Sequence, residues 1–176
     1  MIRTDFHTHV GVRVADLRRA ASFYIDVLGG RMLTLPFEVT GPRAEHIYGG
    51  PPGVRVFACH VQFETGAIEL CEFVEPRVPE RQRRPSPGGP FPHVGLRVSD
   101  VVAAHARVEP AGGRLLSEIV WSVDENSGRS IFFCEDPDGN ALEVSSGNLD
   151  SSVSLIHAHI PSAVPSPERI AQWLVR

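Results

Sequence analysis

Residues 9–17, HVGVRVADL, decide the fold, because a closely similar stretch, HVGLRVSDV, returns at residues 93–101. A second echo follows each copy: GGRML at 29–33 corresponds to GGRLL at 112–116. Two blocks that recur in the same order indicate a tandem duplication. The chain is therefore predicted to contain two copies of one structural module.

Each copy begins with a strand that leads into a helix. Apolar residues alternate along the strand, and Asp16 or Asp100 is placed to cap the helix that follows it. Three further strands are predicted in each copy, at residues 31–37, 54–63 and 67–74 and at residues 114–121, 130–135 and 141–145. The predicted order is βαβββ in both copies, which gives an α+β fold.

The chain divides into four predicted segments. Module 1 spans residues 5–75, and module 2 spans residues 93–146. Between them, residues 76–92 form a linker, because this stretch is rich in Pro and Arg and cannot continue a helix or a sheet ladder. Residues 147–176 form a C-terminal extension, in which a strand is predicted around His157 and His159, followed by a short helix. The apolar side of this helix, with Ile170, Trp173 and Leu174, would cover a sheet edge or dock on another subunit.

Composition excludes several classes of function. The formal net charge is −4, and the 17 basic residues are all Arg, so no Lys is available for a Schiff base, a pyridoxal-phosphate anchor or a phosphate-binding loop. The charges are spread along the chain, which argues against nucleic acid and an anionic membrane as partners. With no membrane-spanning apolar run and no signal-peptide core near the first residues, the sequence predicts a cytoplasmic protein.

Two His and two Glu recur at corresponding positions of the copies. His9 and His93 occupy matching positions in the first strands, predicted at residues 6–14 and 93–98, whereas Glu69 and Glu143 lie inside apolar strands near the end of each module. A carboxylate among apolar residues needs a cation, a proton or an exposed face. One interpretation is a metal site with two nitrogen and two oxygen ligands; the other is that both Glu face solvent and both His are half-buried structural residues. His7 shares a strand face with His9, but only His9 repeats.

Four motifs carry a resemblance to a known family: Thr8–Gly11, Ile68–Leu70, Pro92–Gly95 and Phe133–Glu143. Across residues 5–146 the chain resembles the vicinal oxygen chelate superfamily, which includes glyoxalase I, methylmalonyl-CoA epimerase, extradiol dioxygenases and bleomycin-resistance proteins. The resemblance implies that the mixed sheets curl around a cavity, that the protein forms a homodimer, and that it acts on a small molecule. It also implies one divalent ion (Ni, Co, Mn, Zn or Fe(II)) with the ligands His9, Glu69, His93 and Glu143.

Among the branches of this superfamily, the His/Glu/His/Glu set is similar to that of bacterial glyoxalase I. Methylmalonyl-CoA epimerases usually have Gln where this chain has Glu69. Both branches imply a lyase or isomerase in which an ion polarises a carbonyl and Glu143 or Glu69 moves a carbon-bound proton. The alternatives are an Fe(II)-dependent extradiol-type dioxygenase, which uses two His and one carboxylate, and a drug-sequestering resistance protein without turnover.

Four further residues are expected to contact the substrate. Arg13 matches an Arg of glyoxalase I that holds glutathione, but Phe73 replaces a polar contact of that family. Glu45 lies in the stretch where epimerases carry an acidic catalytic residue. Arg13 and Arg97 occupy equivalent positions in the two copies, from which they either clamp an anionic group of the substrate or point outward in salt bridges.

Overall fold

A computed structural model of the protein describes residues 8–77, 92–121, 130–147 and 165–174, apart from the side chains of Trp121 and Trp173. Several sequence predictions lie outside these residues: the start of module 1 with His7, most of the linker, and the extension around His157 and His159. Among the described residues, no helix is both long and apolar enough to cross a membrane.

Module 1 is built on a mixed sheet that, in its described part, has five strands. The parallel neighbour of β1 is β5, the antiparallel neighbour of β5 is β4, and both β2 and β3 pair antiparallel with β4. The elements in chain order are β1 (His9–Val14), α1 (Leu17–Asp26), β2 (Arg31–Met32), β3 (Phe37–Thr40), α2 (Gly41–Tyr48), β4 (Arg55–Phe63) and β5 (Gly66–Glu75).

Module 2 repeats this topology. Its first strand, β6, is parallel to β10, β10 is antiparallel to β9, and both β7 and β8 pair with β9. Its elements are β6 (Val94–Arg97), α3 (Val101–Val108), β7 (Arg114–Leu115), β8 (Val120–Trp121), β9 (Ser130–Glu135) and β10 (Ala141–Ser145). The two modules on mixed sheets confirm the predicted α+β fold of tandem βαβββ units. The curling of the sheets stays a prediction.

The duplicated Asp residues cap their helices as predicted. The Asp16 carboxylate accepts a hydrogen bond from the Arg19 backbone N–H at 2.9 Å, and the Asp100 carboxylate accepts one from Ala103 at 2.8 Å. Each cap satisfies a backbone donor that the first helical turn leaves without a partner. Residues of both α1 and α3 belong to one buried apolar cluster, so the two modules share a core.

Two predicted strands are interrupted, and the interruptions also repeat. Residues 31–37 were expected to form one strand, but the structure has β2 and β3 with a break between them. In the break, the Thr34 hydroxyl accepts the His60 backbone N–H at 3.0 Å. In module 2, the Ser117 hydroxyl likewise accepts the Phe133 N–H at 2.9 Å, between β7 and β8. In both modules a side-chain hydroxyl oxygen replaces a backbone carbonyl as the acceptor. The strand pairing is therefore interrupted while the backbone N–H of His60 or Phe133 keeps a hydrogen-bond partner.

Helix α2 has no counterpart in the prediction. Pro42 lies in its first turn, where the missing N–H costs nothing, and Gly49 ends it with φ of 62°. Its buried residue, Ala44, belongs to a second apolar cluster with Val56 and Cys71. At the other end of the chain, the predicted short helix is present as α4 (Pro167–Leu174), where Ile170 and Leu174 are 48% and 67% exposed.

The turn between β9 and β10 joins module 2 to the β1–α1 region of module 1 through hydrogen bonds. Tyr24 donates a hydrogen bond to Asp136 at 3.0 Å, and Asp138 accepts one from the Ala15 N–H at 2.9 Å. The Asn140 side-chain amide donates to the Arg13 carbonyl at 3.2 Å. Burial raises the pKa of Tyr24 well above 10, and the neighbouring Asp136 raises it further, so the hydroxyl stays a donor near neutral pH.

Gly113 of module 2 packs closely against Phe23 of module 1, and we expect Gly113→Ala to destabilise the protein by roughly 1–3 kcal/mol. A Cβ atom there would lie 2.7 Å from the Glu135 carbonyl and 2.7 Å from the Phe23 ring. The carbonyl belongs to a strand that is paired on both sides, so it cannot move away easily. Gly95→Ala is the matched control, because a Cβ atom at Gly95 meets nothing within 4 Å. Urea unfolding of both variants measures the difference, and equal stabilities would contradict the prediction.

Candidate functional site

His9 and Glu69 meet on neighbouring strands of module 1. Strands β1 and β5 run parallel, with Gly11 directly opposite Glu69. The Nε2 atom of His9 lies 3.5 Å from Oε2 of Glu69, and the two side chains are 42% and 18% exposed. Since Gly11 carries no side chain, the space between its strand position and the carboxylate stays open. The strand register therefore joins the first predicted nitrogen ligand to the first predicted oxygen ligand.

Module 2 forms the equivalent pair. Gly95 on β6 lies opposite Glu143 on β10, and the Nε2 atom of His93 is 3.2 Å from Oε2 of Glu143. The side chain of His93 is 18% exposed, and that of Glu143 is 31% exposed. The repeat in the sequence thus becomes a repeat of one His–Glu contact.

The spacing inside each pair suits a transition-metal ion. Two donor atoms bound to one ion at about 2.1 Å lie roughly 3.0–3.4 Å apart, depending on the coordination angle. The nitrogen-to-oxygen distances of 3.2 Å and 3.5 Å are close to this range. Within the described ranges, however, no group of three or more His, Cys, Asp or Glu is arranged so that it could hold a metal ion. The structure thus contains two separate His–Glu pairs, His9 with Glu69 and His93 with Glu143, which we call half-sites and whose donor chemistry is compatible with a divalent ion.

A third histidine, which the sequence interpretation did not include, faces the module 1 pair. His60 on β4 lies directly opposite Glu69 in the strand register. Its Nε2 atom is 3.8 Å from Oε1 of Glu69, and its ring meets the His9 ring edge-on with centroids 5.7 Å apart. The sequence contains a signal that predicts this contact, because a hairpin with the two-residue turn Glu64–Thr65 pairs residue 60 with residue 69.

The three cysteines are free and buried, as the sequence predicted. Burial raises the pKa of the Cys71 thiol to about 12, with the nearby Glu69 charge as a second cause. Burial, together with the charges of Asp136 and Glu135, raises the pKa of Cys134 to about 12. Burial also raises the pKa of Cys59. A neutral thiol is a poor metal ligand and a poor nucleophile, so the His and Glu side chains remain the candidate donors.

The four residues predicted to contact the substrate differ in their exposure and in the groups that they contact. Arg97 is exposed on β6, whereas Arg13 is half-buried on β1. Phe73 packs edge-on against Tyr48 of α2, with ring centroids 5.8 Å apart. The carboxylate of Glu45 accepts a hydrogen bond from the Gly53 N–H at 2.9 Å, and this contact tethers the loop after α2.

A cavity of about 670 Å³ lies between the two modules. Its walls come from the β4–β5 turn and the start of β5, from residues 94–99, and from β10. Glu143 and Arg97 both line it, so a candidate metal ligand and a candidate anion-binding residue share one space. The β9–β10 turn contacts module 1 elsewhere, where Asp138 accepts the Ala15 N–H.

A family model described as the Glyoxalase/Bleomycin resistance protein/Dioxygenase superfamily matches residues 7–144. The chain belongs to this superfamily. The match covers both modules and all four predicted ligands, and it confirms the resemblance found in the sequence. A comparison with curated proteins finds no match.

Solved structures show that this superfamily member shares its fold with distant relatives. A glyoxalase family protein from Bacillus cereus is 20% identical, with a TM-score of 0.68 over 82% of this chain and 95% of the other. A trypanothione-dependent glyoxalase I from Leishmania major is 20% identical, with a TM-score of 0.54 over 88% and 94% of the two chains. The fosfomycin resistance protein FosX from Listeria monocytogenes, in complex with Mn(II) and sulfate, is 12% identical, with a TM-score of 0.55 over 86% and 99%.

Proposed function

We propose that this superfamily member is a divalent-metal-dependent lyase or isomerase, similar to glyoxalase I or methylmalonyl-CoA epimerase, that moves a proton on a small carbonyl or thioester substrate. The observation that carries the proposal is the repeated His–Glu contact, His9 with Glu69 and His93 with Glu143. A pair of this kind in one module has an ordinary structural explanation, but the recurrence of the pair in the other module supports a shared ion.

The four side chains would supply the ligands when the two half-sites engage one ion. Their nitrogen and oxygen donors suit Ni, Co, Mn, Zn or Fe(II) better than Ca or Mg. The bound ion would polarise the substrate carbonyl and stabilise the negative charge that develops when the adjacent carbon loses its proton. The Mn(II) of the FosX structure supports an ion of this group.

Proton transfer is assigned to the carboxylates, with Glu143 in the better position. It is more exposed than Glu69, at 31% against 18% of the side chain, and it lines the cavity between the modules. Its carboxylate would take the carbon-bound proton and return it to a neighbouring carbon or to the other face of the same carbon. Arg97 in the same cavity would bind an anionic group of the substrate. We also propose that the protein forms a homodimer.

Metal analysis of protein purified without chelators tests the function. We expect about one equivalent of a transition metal in the parent chain and almost none in the double variant His93→Ala/Glu143→Ala. The double variant His46→Ala/Glu109→Ala is the matched control, because it removes one exposed His and one exposed Glu away from the half-sites, and it should keep the metal.

Thermal unfolding shows whether each double variant is folded. A folded parent that binds none of Mn, Co, Ni, Zn and Fe(II) after reconstitution would contradict the proposed function and favour a drug-sequestering protein. Iron-dependent oxygen uptake with a catechol substrate would favour the dioxygenase alternative instead.

A further inference from the structure

The two half-sites differ at one structurally matched position. On β4, His60 lies opposite Glu69, and on β9, Phe133 lies opposite Glu143. The match is close, because both residues donate their backbone N–H to the hydroxyl of the strand break, Thr34 or Ser117. The carboxylate of module 1 therefore has a polar neighbour across the sheet, whereas that of module 2 has an aromatic ring in the same place.

Hydrogen bonding around Thr34 is compatible with a His60 tautomer that carries its proton on Nε2. The Thr34 oxygen accepts the His60 backbone N–H, so its own hydrogen is free to be donated. The His60 Nδ1 atom lies 3.4 Å from this oxygen and is placed to accept that hydrogen. The proton of a neutral imidazole then resides on Nε2, which is the atom that faces Oε1 of Glu69.

Glu69 thus has a different neighbour for each carboxylate oxygen. Oε2 faces His9 at 3.5 Å, and Oε1 faces the Nε2 atom of His60 at 3.8 Å. Phe37 stacks on the His60 ring with an interplanar angle of 12°, and the imidazole is 21% exposed. The ring is therefore held between Thr34, Phe37 and the carboxylate.

We propose that His60 is a positioning residue, which donates a hydrogen bond from Nε2 to Oε1 of Glu69 and thereby presents Oε2, together with His9, to the metal ion. The inference rests on the proposed function. It requires the carboxylate and the imidazole to approach each other by roughly 0.6 Å, because an N–H to O hydrogen bond is at most about 3.2 Å long. Carboxylate ligands are commonly held by such bonds from neighbouring groups. Glu143 has Phe133 in the place of this donor, so the two carboxylates bind the ion unequally.

Titration of the metal-free protein with Co(II), in competition with a chromophoric chelator, tests the role of His60. His60→Phe copies the residue of module 2 and keeps a ring against Phe37, and it is expected to weaken binding about 10–100-fold. His60→Gln keeps an N–H donor at a similar reach, and it is expected to bind Co(II) within about threefold of the parent. Thermal unfolding of the metal-free variants separates this effect from loss of structure.

Three other outcomes would overturn the inference. If His60→Phe binds Co(II) as tightly as the parent, His60 does not position Glu69, although the proposed function stands. If His60→Phe and His60→Gln lose the same affinity, the imidazole acts through packing rather than through its donor. If the parent itself binds no metal, the proposed function fails and this inference fails with it.

Discussion

Glu143→Gln is expected to lower turnover by roughly 10²–10⁴-fold, which is the usual contribution of a general base. The amide preserves the size of the side chain but cannot accept a proton from carbon. Glu143 also serves as a candidate ligand 3.2 Å from His93, so metal content must be measured for the same preparation. A folded variant that retains metal and has lost turnover identifies Glu143 as the base.

The assay follows exchange of the carbon-bound hydrogen with deuterated solvent, using a panel of acyl-CoA thioesters and hemithioacetals of thiols. The exchange assay requires no knowledge of the final product, because it measures the removal and return of the carbon-bound proton directly. Glu109→Gln is the control, since Glu109 is exposed at the end of α3. An exchange rate of Glu143→Gln within about threefold of the parent would contradict the assignment.

Asp136→Ala is expected to lower the free energy of unfolding by about 3–5 kcal/mol, because several neutral donors around Asp136 lose their common acceptor, each at a cost of about 1–3 kcal/mol when it is buried. The Asp136 side chain is fully buried and accepts hydrogen bonds from the Tyr24 hydroxyl at 3.0 Å and from the Asn140 side chain at 2.8 Å. It also accepts the backbone N–H groups of Asp138 and Asn140. The substitution leaves these donors without their acceptor at the contact between the modules.

Two further variants make this test specific. Tyr24→Phe removes one donor and leaves the others in place, so its expected cost is about 1–3 kcal/mol. Asp26→Ala removes an exposed carboxylate at the end of α1 and should change stability by less than about 0.5 kcal/mol. Chemical denaturation of all three measures the difference. A cost for Asp136→Ala no larger than that for Asp26→Ala would contradict the role of the turn.

Patterns within one stretch of chain predicted the local elements well. The caps at Asp16 and Asp100 depend on residues three positions apart, so their geometry is encoded in adjacent sequence. Helix α2 was missed because its start combines Gly41 and Pro42, residues that more often end an element than begin one. The strand break at Thr34 was missed because its cause, the N–H of His60, lies in another strand.

The sequence by itself determined the duplication, the βαβββ pattern common to the two modules and the recurrence of one His and one Glu in each, because all three follow from repeated motifs and the two-residue period of a strand. Only the tertiary structure decided which other side chains contact these His–Glu pairs and join the two modules. His60 meets Glu69 across a hairpin, and Asp136 meets Tyr24 across the boundary between modules. Such contacts join residues far apart in the chain, and their partners are set by strand register and packing rather than by local preference.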